Sequence, residues 1–156
     1  KKTGMPNREK LNIYIGEMAG KVLPEAFTCF TLSLDNLSEL TKRFGYTVGD
    51  GVLKDFAGLV QLMGDTEGMR GYNGIGRFVV FFEECSSKKA AAMIRILDNQ
   101  VEEYNSLNPE YPIRYTATWA TTEETDTYEI RELLRLSQKK WKQMEKEKKD
   151  KIEEET

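Results

Sequence analysis

The side chains able to do chemistry in this sequence are carboxylates, amines, hydroxyls and two thiols, because histidine is absent. Without imidazole there is no His-containing triad, no His-ligated zinc and no imidazole proton shuttle. Catalysis would rest on Asp, Glu, Lys, Tyr, Cys or a metal held by oxygens. Candidates gather in three places. In Leu32-Ser33-Leu34-Asp35 an alternating run brings Ser33 and Asp35 to one strand face. Gly71-x-x-Gly74-x-Gly76-Arg77 is a glycine-rich turn followed by a cation. It reads either as a structural turn or as a phosphate cradle of backbone N–H groups helped by Arg77. Asp50 follows Gly49 where a helix N-cap belongs. Cys29 and Cys85 form no CxxC pair and read as buried or half-buried thiols in a reducing compartment.

Hydrophobic periodicity predicts the elements that position these groups. Asn7 caps a helix carrying Leu11, Ile15 and Met18, with Gly20 as its stop. Residues 26–34 alternate with period two and predict a strand with one apolar face. Helices follow over 37–44 and 49–63, the second with Val52, Phe56, Leu59, Val60 and Met63 as its stripe. Asn73-Gly74 predicts a hairpin between strands at 69–72 and 77–83. A helix over 88–107, a strand over 113–122 and a helix from 128 to at least 149 complete the order. That order predicts an α+β fold, with helices packed on a mainly antiparallel central sheet.

Several local patterns, in order and at matching spacing, resemble the GGDEF domain of bacterial diguanylate cyclases. Thr3-Gly4-Met5-Pro6-Asn7-Arg8 is similar to that family's T-G-L-P-N-R. Leu32-Ser33-Leu34-Asp35-Asn36-Leu37 is similar to its D-x-D-x-F-K strand end, and Arg43-Phe44-Gly45-Tyr46 with Gly49-Asp50-Gly51-Val52-Leu53 to its next motif. Gly74-Ile75-Gly76-Arg77-Phe78 falls where the signature pentapeptide belongs. The resemblance implies a nucleotide-cyclase-like sheet with a ferredoxin-like core. It implies one domain over residues 1–149, with 150–156 as a helix end or linker towards a downstream domain.

The resemblance also implies a chemistry, the condensation of two GTP molecules into cyclic di-GMP on paired magnesium ions. Three of the carboxylates that such a site uses are missing here. Ser33 stands at the strand-end position, Gly76 at the third pentapeptide position and Arg77 at the fourth. Asp35 is the surviving metal-ligand candidate, and one carboxylate rarely holds two ions. Arg77 puts a permanent positive charge where a divalent cation would sit. Thr41 matches the family's guanine-reading Asn, and Asp50 its guanine-reading Asp. The R-x-x-D product-inhibition motif would fall at positions 65 and 68, which hold Asp65 and Gly68. The late Y-x-A-K appears as Trp141-Lys142-Gln143-Met144.

The expectation is a domain without catalytic residues, serving as a regulatory or interaction module in a cyclic di-GMP pathway protein. No cofactor is expected; magnesium would enter only at a rearranged site using Asp35 with Glu83 or Glu84. The alternatives are a GTP-binding allosteric domain that controls a fused EAL phosphodiesterase and, further down the order, a weak diguanylate cyclase working at that rearranged site. Residual nucleotide contacts would come from Asp50, Thr41, Gly74, Gly76 and Arg77. Expected partners are GTP or another nucleotide, neighbouring domains of the same chain, EAL among them, and a second copy. Nucleic acid is not expected, since the 156 residues carry a net charge of −3 and no basic stripe. A membrane contact is not expected either, because the apolar run 78–82 falls far short of the ~20 residues that span a bilayer. The abrupt start without Met predicts a piece of a longer protein. The expected location is cytoplasmic, or the cytoplasmic part of a membrane-bound chain. Lys139–Thr156 mixes lysines with acids and reads as a solvated helix end or as a connecting helix.

Overall fold

The computed structural model describes residues 4–64 and 68–155. Four strands form one antiparallel sheet in the order β2-β3-β1-β4. They are β1 (Thr28–Leu34), β2 (Met69–Gly74), β3 (Arg77–Phe82) and β4 (Tyr115–Thr121). The helices are α1 (Arg8–Met18), α2 (Leu37–Phe44), α3 (Tyr46–Gln61), α4 (Ser87–Leu107), a short α5 (Thr122–Thr125) and α6 (Ile130–Glu155). Strand and helix order are those of a split βαβ, ferredoxin-like arrangement, in agreement with the expected α+β class.

Helices cover both faces of this sheet. Phe30, Leu32 and Leu34 pack with Phe56 and Val60 of α3 and Leu97 of α4. Cys29, Val79 and Phe81 on the opposite face pack with Leu11 of α1 and with Ile130 and Leu133 of α6. Every residue of β1 is therefore buried, which corrects the expectation of a single apolar face. Thr31 tolerates burial because its hydroxyl shares a hydrogen bond with Ser137 of α6, 2.8 Å away. Cys29 is fully buried, and burial pushes its thiol well above the usual range, so it is no nucleophile.

Two local expectations change. Gly45, with φ of 95°, ends α2 and also starts α3, so α3 begins at Tyr46. Asp50 thus lies inside the helix, paired with Lys54 at 3.1 Å, and is not its N-cap. The hairpin turn is Ile75-Gly76, one step beyond Asn73-Gly74, which instead sits at a register irregularity in β2. Both turn residues are left-handed, at φ of 54° and 72°, as a two-residue type I′ turn requires. The tail is helix through Glu155, so residues 150–155 continue α6. Asp65, at the first of the two positions where an R-x-x-D motif would fall and does not, lies outside the described residues.

Ile75 is an unusual occupant of such a turn. A β-branched residue at positive φ is strained, and its side chain is 81% exposed, so packing returns little. An Ile75→Gly variant is expected to gain about 1 kcal/mol from relieved strain, read as a higher thermal midpoint. A lower midpoint would show that the side chain holds the turn through packing.

Candidate functional site

The sheet register builds the site at one end of the sheet. Ser33 on β1 lies opposite Arg77 on β3 and opposite Thr116 on β4. Asp35 follows, its backbone N–H donating to Arg114 O at 2.7 Å. The same register places Thr28 opposite Phe82 at the far end of the sheet. Glu83 and Glu84 continue beyond Phe82, roughly 20 Å of strand away from Arg77. A rearranged metal site joining Asp35 to Glu83 or Glu84 is thereby overturned.

What covers Ser33 and Asp35 is α6. Trp141 Nε1 donates to Ser33 Oγ at 2.8 Å, and Ser33 Oγ donates to Asp35 Oδ1 at 2.6 Å. The Arg77 guanidinium lies over the Trp141 ring, 4.6 Å from its centroid, in cation–π geometry. Thr116 Oγ1 lies 2.5 Å from Asp35 Oδ2 and 2.6 Å from Glu145 Oε2. Lys148 Nζ donates to Thr116 Oγ1 at 2.5 Å and to Tyr115 O at 3.1 Å, and pairs with Asp35 Oδ2 at 3.5 Å. Residues 141, 145 and 148 share one face of α6 by the i, i+4, i+7 rule. That spacing is visible in the sequence, but its target is not. Met144 points elsewhere and lines an apolar groove with Ala117, Trp119 and Leu136.

Two carboxylates compete here for one hydroxyl proton. Thr116 Oγ1 can donate to Asp35 or to Glu145, not to both. Burial, followed by the charge of Asp35, raises the Glu145 carboxyl above its ordinary value. A proton on Glu145 can donate to Thr116 Oγ1 and free the Thr116 proton for Asp35. The folded state therefore binds this proton more tightly than the unfolded chain does. Its stabilisation is complete below the ordinary glutamate value of 4.5 and is lost as pH rises through the raised value. A Glu145→Gln variant is expected to gain stability relative to the wild type between pH 4 and pH 7, as read from paired thermal melts. An unchanged difference across that range would exclude the competition.

Of the remaining candidates, Thr41 lines a neighbouring cleft. Leu34, Asp35, Ser38, Thr41, Lys42 and Ile75 border a cavity of about 370 Å³ between the strand end, α2 and the hairpin. Gly49 of α3 lies against Thr41, where an added Cβ would overlap Thr41 Oγ1. Asp50, the next residue, has one oxygen paired with Lys54 and its buried Oδ1 without a hydrogen-bond partner. Gly74 sits beside Arg8, whose guanidinium donates to Asn73 O at 2.7 Å. Gly76 already uses its N–H on the Tyr72 hydroxyl at 2.9 Å, and its carbonyl accepts from Leu34 N. The structure thus brings Ser33, Asp35, Arg77 and the turn together at one sheet end, with Thr41 across the cleft and Asp50 on α3, one residue after the Gly49 that packs against Thr41.

The sequence matches the family model described as "Diguanylate cyclase, GGDEF domain" over residues 1–151. Comparison with curated proteins gives no match. Among solved structures, the FimX GGDEF domain from Pseudomonas aeruginosa is similar at a TM-score of 0.71 and 17% identity, covering 88% of this chain and 87% of that one. The active GGEEF domain of a diguanylate cyclase from Vibrio cholerae is similar at 0.70 and 19%, covering 87% and 88%. The S helix-GGDEF-EAL portion of Vibrio cholerae LapD, bound to c-di-GMP, is similar at 0.62 and 13%, covering 77% of this chain and 27% of that one. At these identities the likeness concerns the fold. No helix among the described residues is long and apolar enough to cross a membrane.

Proposed function

The chain belongs to the GGDEF domain family, and from that membership we propose a GGDEF-type domain without cyclase activity, serving as a regulatory or interaction module in a cyclic di-GMP pathway protein. The observation that carries this reading is the donor set at the strand end. Magnesium takes several hard oxygen ligands in near-octahedral order, and a triphosphate site for two ions needs several anionic ones. Ser33 is engaged by Trp141 and Asp35, Gly76 has no side chain, and Arg77 brings a guanidinium. Both oxygens of Asp35 already face hydroxyls, with the Lys148 ammonium alongside. Among the described residues no three Asp, Glu, Cys or His side chains converge as a metal site would require. These residues do not fit a magnesium pair.

Such a domain acts through what it binds and what it touches. The proposed neighbour is an EAL phosphodiesterase domain of the same chain, in the cytoplasm, and a second copy is a further candidate partner. The test is direct. Incubation with GTP and Mg²⁺ or Mn²⁺, followed by mass spectrometry, is expected to yield no cyclic di-GMP above a no-enzyme blank. Turnover above the blank would overturn the reading.

A second reading, a GTP-binding allosteric module, is favoured by Asp50. Its buried Oδ1 has no hydrogen-bond partner, and the residue before it, Gly49, lies against Thr41, which borders the cleft with Asp35. A buried acceptor without a donor is costly, and a ligand N–H would relieve it. Binding to the folded state alone would raise the melting temperature with GTP concentration. A flat response up to millimolar GTP would remove this second reading.

A further inference from the structure

The two margins of the sheet are finished differently. In the order β2-β3-β1-β4 the outer strands are β2 and β4. The chain's own backbone meets β2, where Tyr72 N–H donates to Pro6 O at 2.9 Å. On β4 the register with β1 turns the peptide groups of residues 114, 116 and 118 inward, with Asp35 N–H donating to Arg114 O, and leaves those of Tyr115, Ala117 and Trp119 pointing outward. These outward groups meet no backbone partner among the described residues. Such an edge is a template for another strand. Its own sequence carries no deterrent, since Tyr115–Thr121 contains no charge and no proline and pairs with β1 in unbroken register.

Two lysines of α6 supply what the strand lacks. Lys140 Nζ donates to Trp119 O at 2.7 Å, and Lys148 Nζ to Tyr115 O at 3.1 Å. The spacings agree, because four residues of strand span about 13 Å and eight residues of helix about 12 Å. A helix running antiparallel to β4 thus brings one ammonium to each carbonyl. Antiparallel pairing of β4 with the β4 of a second copy, centred on Ala117, would set Tyr115 opposite Trp119 of that copy, a favourable aromatic cross-strand pair. The carbonyls it would call on at Tyr115 and Trp119 are the two that the lysines hold. It would also bring Lys148 of one copy towards Lys140 of the other, ammonium against ammonium.

We infer that Lys140 and Lys148 hold the β4 edge closed to a second copy of this chain, each by occupying a carbonyl that edge-to-edge pairing needs. The guarded surface is self-complementary in register, and the two ammonium groups are what keeps it single. Nucleotide binding plays no part in it.

Sedimentation equilibrium reads the guard. A Lys140→Met/Lys148→Met variant keeps both apolar stems and loses both donors. It is expected to self-associate at least about tenfold more tightly than the wild type. Lys139→Met/Lys142→Met removes the same charge from the same helix without touching a β4 carbonyl, and is expected to stay within twofold of the wild type. A tenfold gain in this control as well would reduce the effect to net charge and overturn the guard. Lys148 also meets Asp35 and Thr116, so Lys140→Met, which leaves those contacts intact, is measured separately. It is expected to tighten association at least about threefold. Adding Ala117→Pro to the double variant deletes an outward N–H that β1 does not use, and is expected to return association to the wild-type level. Association within twofold of the wild type in both lysine variants would overturn the guard. Tight association that survives Ala117→Pro would assign the contact to another surface and overturn it equally.

Discussion

A Phe56→Ala variant is expected to lose about 3–5 kcal/mol of unfolding free energy, the usual cost of deleting a buried phenyl ring. Phe56 is fully buried on α3. Its ring meets Phe78 of β3 edge-on at 5.5 Å and Tyr115 of β4 at 5.6 Å. One side chain thus spans the helix layer and two strands, and no small shift of α3 can refill the space. The effect is large against the ~5–15 kcal/mol that holds an ordinary domain together. Urea midpoints of the wild type, Phe56→Ala and Phe56→Leu would measure it, with Leu expected to lose much less because it keeps most of the volume. A loss below about 1 kcal/mol for Ala would mean that the layer collapses freely around the gap. The variant also loosens the helix that carries Gly49 and Asp50 against Thr41, so the cleft should lose definition with it.

Arg70→Ala is expected to cost about 3 kcal/mol, the sum of charged hydrogen bonds worth ~1.5–3 each, partly regained from water. Arg70 is only 4% exposed. Nη2 donates to Met63 O at 2.6 Å, just beyond α3, and Nη1 donates to Gly68 O at 3.3 Å. The guanidinium also lies over the Phe82 ring, 4.9 Å from its centroid. The planar fork reaches two carbonyls while stacking on a ring, which an ammonium cannot do. Arg70→Lys should therefore recover less than half of the loss. Chemical denaturation of both variants tests this, and a Lys variant as stable as the wild type would reduce Arg70 to a buried charge without special geometry.

These two residues mark how differently parts of the fold can be read from sequence. The stripe containing Phe56 announces a buried helix face, and the bounds of α2 follow directly from Leu37 and Gly45. Arg70 carries no such signal, because a lone arginine in a β-prone run is more often solvated than buried. The start of α3 and the place of the hairpin turn lie a few residues from where local patterns put them: Gly45 lets α3 begin directly after α2, and the turn is moved by strand pairing. Asn73-Gly74 has the stronger local turn preference, yet the pairing of Gly74 with Arg77 puts the bend at Ile75-Gly76. Strand register, a long-range choice, outweighed the local one. The double burial of β1 was hidden likewise, since Thr31 and Ser33 look like an exposed face until α6 supplies partners for their hydroxyls.

The candidate site divides along the same line. By itself the sequence determined which chemical groups stand at the strand end: a hydroxyl at 33, a carboxylate at 35, no side chain at 76 and a guanidinium at 77. It also determined the absence of imidazole and the helical spacing of 141, 145 and 148. Only the tertiary structure decided that Trp141 donates to Ser33 across 108 residues of chain, and that Lys148 stands beside Asp35 across 113. The reason is physical. A side chain's chemical identity is a property of one residue, whereas its hydrogen-bond partner, burial and charge neighbours are set by where distant segments cross, and no local pattern encodes that crossing.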